Sequence, residues 1–371
     1  MNTHAGDNIG AATASTIATH AASGAAGITV TVCIANYNGM AVIDDCLRSV
    51  LAQILTPEAD DPRAPPIKID IIVHDDASTD DSPAHVRRHY PQVRLIAATE
   101  NVGFCIANNR MVAAAAGDYL LLLNNDAALY PDALRTLARR ARELARPAVL
   151  GLPQHDAANG ALIDIGSTFD PFLNPIPDLR PTPQEAGMII GACLWLPRVL
   201  WNDIGGFPEW FDSLAEDMYL CCVARLYGHP VEALRASGFR HWVGASLGGG
   251  KVLDNRLSTT SRRRILSERN KCYVMVLCYP APLLQLVLPV HLVLLMVEGA
   301  ILAALKCSSG LFTTIYLNVP ISLWRERRRL VRDRQAIQSG RRISAAAFFT
   351  PFQWMPHKLR LLLRHGMPEI R

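Results

Sequence analysis

The apolar run Tyr119-Leu120-Leu121-Leu122-Leu123 stops on Asn124-Asn125-Asp126. A carboxylate flanked by amide oxygens offers hard ligands to a divalent cation such as Mg2+ or Mn2+. A second apolar run closes on His74-Asp75-Asp76, where a carboxylate can accept a hydrogen bond from the N3–H of a pyrimidine, selecting uracil or thymine over cytosine. A third pair, Glu216-Asp217, follows Phe207, Glu209, Trp210, Phe211 and Asp212 and can supply a general base for a hydroxyl group. His241 precedes Gly244, Ser246 and Gly248-Gly249-Gly250; it is a candidate metal ligand, and the glycine run a candidate mobile lid. Asn36-Tyr37-Asn38-Gly39 offers backbone and side-chain groups to a base or ribose, with Gly39 allowing close approach. Each motif also has a plain structural reading. Asn and Asp form Asx turns, paired acids suit a helix N-terminus, and Ser78-Thr79-Asp80 reads as a helix cap.

These residues need a scaffold that brings them together. Strands are expected at Ile28–Ala35, Ile67–Val73, Val93–Ala98 and Tyr119–Leu123. Helices are expected at Met40–Ile54, Asp80–Tyr90, Gly103–Ala116 and Asp132–Ala145. That alternation predicts βαβ units, an α/β fold and a mostly parallel, Rossmann-like sheet flanked by helices. The polar triplets then fall at the carboxyl ends of strands, where open α/β sheets bind ligands. Further on, Met188–Leu196 reads as a strand, Pro197–Ile204 as a short helix, Glu216–Tyr227 as a helix and Val231–Arg240 as strand-like.

The chain has 371 residues, half of them hydrophobic, enough for a large core. A net charge of +4 is too mild to point to nucleic acid. The nine cysteines show neither CxxC nor finger-like spacing, the usage of a reduced chain, with Cys221 and Cys222 as packing residues. Three regions are expected: a disordered tail over 1–27, a catalytic domain over 28–256, and a helical, basic, membrane-associating region over 257–371. Leu257–Arg269 reads as a charged connector. Pro282–Leu305 approaches the roughly 20 apolar residues of a spanning helix, but Gln285, Pro289, His291 and Glu298 interrupt it. Basic residues lie on both sides: Arg262, Arg263, Arg264, Arg269 and Lys271 before it, and a cluster from Arg325 to Arg342 after it. Positive residues on both flanks favour an in-plane or re-entrant helix, or a hairpin completed by Leu311–Trp324, held at the cytoplasmic face of the inner membrane by anionic lipid.

The segments TVCIANYNG (31–39), IIVHDDASTD (71–80), NVGFCIANN (101–109), GDYLLLLNND (117–126), GACLWLPR (191–198) and GGFPEWFDSLAED (205–217) run in the order found in family 2 inverting glycosyltransferases. The chain resembles the bacterial rhamnosyltransferase-type members most. The resemblance implies a glycosyltransferase-A fold and a nucleotide-diphosphate sugar donor, either a UDP- or a dTDP-sugar. It also implies a saccharide or polyprenyl-linked acceptor in cell-surface polysaccharide synthesis. By the same resemblance, Asp75 reads the base and Asp126 holds the metal at the family's Asp-x-Asp position, where Asn124 replaces the first acid. His241 would help with metal or diphosphate. Asp217 would be the base and Glu216 its orienting partner. Asn36, Tyr37, Asn38, Asn101, Gly103, Asn109, Asn124 and Asn125 would line the donor site.

Two other classes compete. A sugar-1-phosphate nucleotidyltransferase needs a glycine-rich basic loop after the first strand, and Asn36-Tyr37-Asn38-Gly39 contains no Lys or Arg. A non-catalytic, membrane-attached assembly protein that keeps the fold is favoured only by Asn124, and opposed by Asp75, Asp126 and Asp217 together.

Overall fold

The structure is a computed structural model, and it describes residues 27–56, 64–180, 185–242, 249–253, 256–365 and 369–370. Residues 1–26 of the tail expected over 1–27, and Gly244, Ser246 and Gly248 of the expected lid, lie outside the described residues.

Strands β1 (Ile28–Asn36), β2 (Ile67–Asp75), β3 (Arg94–Ala97) and β4 (Tyr119–Asn124) alternate with helices α1 (Ile43–Leu51), α2 (Ser82–His89) and α3 (Phe104–Ala114). After β5 (Ala127–Leu129) come α4 (Ala133–Leu144), β6 (Val149–Gly151), β7 (Gln154–Asp156), β8 (Leu162–Asp164), β9 (Thr168–Phe169) and β10 (Pro175–Ile176). Next are β11 (Cys193–Pro197), α5 (Arg198–Ile204), α6 (Glu216–Leu226), β12 (Val231–Ala233) and β13 (Phe239–His241). The main sheet has seven strands in the order β12-β6-β11-β4-β1-β2-β3. Its neighbours are parallel except at β11, which runs antiparallel to both β4 and β6. A second sheet, β5-β13-β7-β8, stands beside it.

The Tyr119–Leu123 run is buried on both faces. Leu121 and Leu123 enter one core with Ile43 and Leu47 of α1 and Leu134 and Leu137 of α4. Leu120 and Leu122 enter the other, with Met111 of α3 and Leu220 and Val223 of α6. This two-faced burial is why the strand lacks apolar–polar alternation.

Three expected elements differ. The strand expected over Met188–Leu196 begins only at Cys193, because Gly191 turns its N–H to a side chain instead of a ladder. Val231–Arg240 is two strands in two different sheets. The connector expected over Leu257–Arg269 is a strand (Arg256–Thr259) followed by α7 (Ser261–Cys278). Gly249 and Gly250 begin a strand, Gly249–Leu253, that pairs antiparallel with Arg256–Thr259.

The division expected at residue 257 falls within one continuous core. Tyr273, Val274 and Met275 of α7, with Leu330 and Ile337, pack into the same cluster as α6. Helix α8 (Ala281–Leu305) follows, and among the described residues it alone is long and apolar enough to cross a membrane by length and composition. The chain then turns back through Phe312–Tyr316 into α9 (Asn318–Arg325) and α10 (Arg327–Ser339).

Candidate active site

The ends of β1, β2 and β4 are joined by side chains. Asn36, 1 % exposed, donates through Nδ2 to Asp75 Oδ1 at 2.9 Å and to Ser82 Oγ at 2.9 Å. Its Oδ1 accepts from Asn125 Nδ2 at 2.9 Å. Gly39 lies directly against this amide pair. A Cβ there would sit 2.1 Å from Asn36 Oδ1 and 2.3 Å from Asn125 Nδ2. The close approach expected of Gly39 is therefore made by protein groups.

Asp75 is nearly buried. Its Oδ1 also accepts from Ser78 Oγ at 2.6 Å, and its Oδ2 from Ser78 N–H at 3.1 Å. Asn38 accepts from Thr79 N–H at 2.8 Å, and Asp80 accepts from Met40 N–H at 2.9 Å. These bonds clip the loop after β1 to the loop after β2. Tyr37, on the first of these loops, is 52 % exposed.

Asp76, next to Asp75, matches no motif that assigns it chemistry. In the fold it accepts from Val102 N–H at 2.8 Å and Gly103 N–H at 2.9 Å, fixing the loop that leads into α3. Gly103 has φ +88°, and a Cβ there would come within 2.7 Å of Asp212 Oδ1. Asn101, on the same loop, is exposed. Asn109, expected at the donor, bonds the loop before α6. Its Nδ2 donates to Phe207 O at 2.9 Å and Glu209 Oε1 at 3.2 Å, while its Oδ1 accepts from Phe207 N–H at 3.0 Å. Both ends of that amide are engaged in holding the loop before α6.

The triplet at the end of β4 divides its tasks. Asn124 is half-buried and donates its N–H to Ala192 O at 3.0 Å. Asn125 pairs with Asn36. Asp126, buried, has Oδ1 3.1 Å from His241 Nε2. Position 241 is paired to Ala127, because β13 runs antiparallel to β5. Two residues 115 apart thus meet. The other imidazole nitrogen, Nδ1, lies 2.9 Å from Gln154 Nε2, on β7 beside β13. With the amide so oriented, Nδ1 accepts and Nε2–H donates to Asp126. Turning the Gln154 amide to present Oε1 moves the proton to Nδ1 and gives Asp126 and Nε2 together to a cation. Gln154 carries no motif in the sequence.

Among the described residues no three His, Cys, Asp or Glu side chains gather as a metal site. Asp126 and His241 supply two donors side by side. That suits a cation whose remaining ligands come from a diphosphate and water, the usual pattern for Mg2+ at phosphate sites.

The acid pair opens α6. Asp217 Oδ2 accepts from Gly191 N–H at 2.9 Å and Oδ1 from Met218 N–H at 2.7 Å. Glu216 is 6 % exposed, and its Oε2 has no hydrogen-bond partner. Burial, reinforced by the neighbouring Asp217, pushes the Glu216 carboxyl up to about 8. Burial also raises Asp217, against the pull of the Gly191 and Met218 N–H groups and of Arg263. Glu216 therefore keeps its proton at neutral pH, while the two N–H bonds and the helix N-terminus favour the charged form of Asp217 over that of its neighbour.

The turn before the pair is strained. Asp212, Leu214 and Ala215 all have positive φ, at 68°, 72° and 66°, a conformation that costs non-glycine residues of order 1 kcal/mol or more each. Asn270 of α7, fully buried, holds it in place. Its Nδ2 lies 2.8–2.9 Å from the carbonyls of Phe211, Ser213 and Leu214. The C-terminal helices are thereby part of the site.

Asp75, Asp126 and Asp217 stand along one edge of the sheet. The path runs from Asp217 to Gly191, through Ala192 to Asn124, and from Asn125 through Asn36 to Asp75. A surface hollow beside Ile28, Ile67 and α4 lies at the opposite ends of β1 and β2.

Residues 31–203 match the sequence model of Glycosyl transferase family 2. An N-acetylglucosaminyl-diphospho-decaprenol L-rhamnosyltransferase of Mycobacterium tuberculosis is 26 % identical over 182 residues, covering 41 % of this chain and 59 % of the relative. The chain thus spans less than two thirds of that protein's length. The succinoglycan biosynthesis protein ExoO of Rhizobium meliloti is 34 % identical over 113 residues, covering 30 % of this chain and 29 % of ExoO. Among solved structures, GalNAc-T7 with UDP, GalNAc and Mn2+ superposes with a TM-score of 0.52 at 15 % identity, covering 67 % of this chain and 48 % of that one. The α/β fold is accordingly glycosyltransferase-A-like, with a mixed sheet flanked by helices.

Proposed function

We propose, for a chain whose residues 31–203 belong to glycosyl transferase family 2, an inverting glycosyltransferase that moves a sugar from a nucleotide-diphosphate donor. The acceptor is a saccharide or a polyprenyl-linked glycan in cell-surface polysaccharide synthesis. Rhamnose from dTDP-rhamnose is the favoured donor sugar, supported by the mycobacterial relative's name. The observation that carries the proposal is the hydrogen-bonded path from Asp75 to Asp217 along a single sheet edge.

In this reading the base lies near Asp75 and the exposed Tyr37, with Asn38, Asn101 and Gly103 on the flanking loops. The diphosphate lies against Asn124, Asp126 and His241. Asp126 Oδ1 and His241 Nε2 would hold Mg2+ or Mn2+ together with diphosphate oxygens. Bound there, the cation supplies positive charge to the departing nucleotide diphosphate. Asp217 takes the proton from the acceptor hydroxyl as its oxygen bonds to the anomeric carbon and the bond from that carbon to the diphosphate breaks. Glu216, neutral beside it, keeps the charge on Asp217.

A panel of nucleotide sugars tests this, reading thermal stabilisation and nucleotide diphosphate release with Mn2+ present. Stabilisation by dTDP- or UDP-sugars is expected. A protein indifferent to every member of the panel would refute the proposal.

A further inference from the structure

Helix α8 is built with its polarity reversed. Its solvent side repeats every three or four residues for the full length: Leu286, Val290, Val293, Val297, Ile301 and Leu305. No charged residue lies on that side, and Leu286 and Val293 are 66 % and 63 % exposed. The side facing the protein carries the helix's ionisable groups. Glu298 pairs with Arg264 and, at 3.0 Å, with Lys358 Nζ. His291 is buried, with Nε2 4.0 Å from Glu268. Glu268 in turn binds Lys271 at 2.8 Å and Lys358 at 2.6 Å. A helix bathed in water shows the opposite pattern, polar side outward.

We propose that the outer face of α8 lies in the plane of an anionic lipid bilayer, as a monotopic docking surface. This rests on the C-terminal helices alone and holds whatever sugar the site transfers. Two features favour lying flat over crossing. The ionic groups on the inner side tie α8 to α7 and to Lys358 along the body. The returning segment also packs closely on α8, since a Cβ on Gly299 would come 2.4 Å from Tyr316 Cγ. Charge selects the lipid. Immediately after the return, Arg325, Arg327, Arg328 and Arg332 are all exposed. Trp324 is 66 % exposed, with the Arg327 guanidinium 4.4 Å from its ring centroid. Exposed tryptophan with arginine suits the boundary between hydrocarbon and anionic headgroups. Because α7 joins α8 to the turn held by Asn270, docking would set the acid pair beside a lipid-linked acceptor.

Flotation of the full chain with vesicles tests the surface. Wild type should float with vesicles containing phosphatidylglycerol and much less with phosphatidylcholine alone. Val293→Glu/Val297→Glu should lower the floated fraction at least tenfold with an unchanged thermal melt, and Leu286→Gln/Val290→Gln should lower it similarly. Leu162→Glu, on β8, should float like wild type. Cys307, exposed beyond the end of α8, should react with an impermeant maleimide added outside vesicles that carry the bound protein. Unchanged flotation of both double variants overturns the proposal. So does a wild type that ignores vesicles and forms a dimer that Val293→Glu/Val297→Glu splits. Protection of Cys307 overturns the in-plane orientation in favour of a span.

Discussion

Asn125 donates through Nδ2 to Oδ1 of Asn36 at 2.9 Å, and this amide pair fastens the end of β4 to the end of β1. The pair is buried, so it has no water to fall back on. Gly39→Ala would put a methyl group into it. The expected cost is about 2 kcal/mol from overpacking and unpaired amides, with nucleotide affinity falling alongside. Urea unfolding and nucleotide titration check this, and a variant equal to wild type in both would refute it.

Asp217→Asn keeps the shape and the Met218 contact but removes the base. Turnover should fall by roughly 10²–10⁴-fold, with donor binding within a factor of a few. Isothermal titration paired with single-turnover kinetics separates the two, and an active Asn variant would reassign the base.

The acid pair predicts a pH dependence of stability. Glu216 holds its proton to about 8 in the fold and to about 4.3 in an unfolded chain. Between those values the folded state binds more protons, so stability is greatest below about 4.3 on this account and declines as pH rises toward 8. Asp217, also raised, adds to the same slope. Glu216→Gln should flatten it. Urea midpoints measured for both proteins across this range decide, and parallel curves would contradict the buried-acid account.

Gln154 should tune the cation site through His241. Gln154→Glu offers only acceptors to Nδ1, which directs the Nε2 lone pair toward Asp126 and should tighten Mn2+ in the presence of nucleotide diphosphate. Gln154→Leu should weaken it about 10–100-fold. Electron paramagnetic resonance of free Mn2+ reads this without turnover. The same affinity in both variants would remove Gln154 from the site.

Asn270→Ala takes the side-chain donor away from the Ser213 and Leu214 carbonyls of the turn before Glu216, while the Phe211 carbonyl keeps Arg269 Nη2 at 3.0 Å. Stability should drop by about 2 kcal/mol. Turnover should drop more than donor affinity does, because the turn sets Asp217. An unchanged ratio of turnover to affinity would mean that the turn holds itself.

The sequence by itself determined the alternation of strands and helices, because each buried face leaves a local period or an unbroken apolar run. It also put polar residues at the strand ends, and the resemblance carried by its motif order made Asp75, Asp126, Glu216, Asp217 and His241 candidates for the site. Tertiary structure decided what those residues touch. Asn109 went to the Phe207 loop, Asp76 to the Val102 and Gly103 amides, Gln154 to His241 and Asn270 to the strained turn. Most of these partners lie tens of residues away, at separations where hydrogen bonding imposes no spacing on the sequence. The orientation of α8 was likewise open in the sequence, since a helix apolar nearly all round can turn any side to the protein. Glu298 fixed it by turning inward to Arg264 and Lys358, because charge is cheapest where countercharge is already in place.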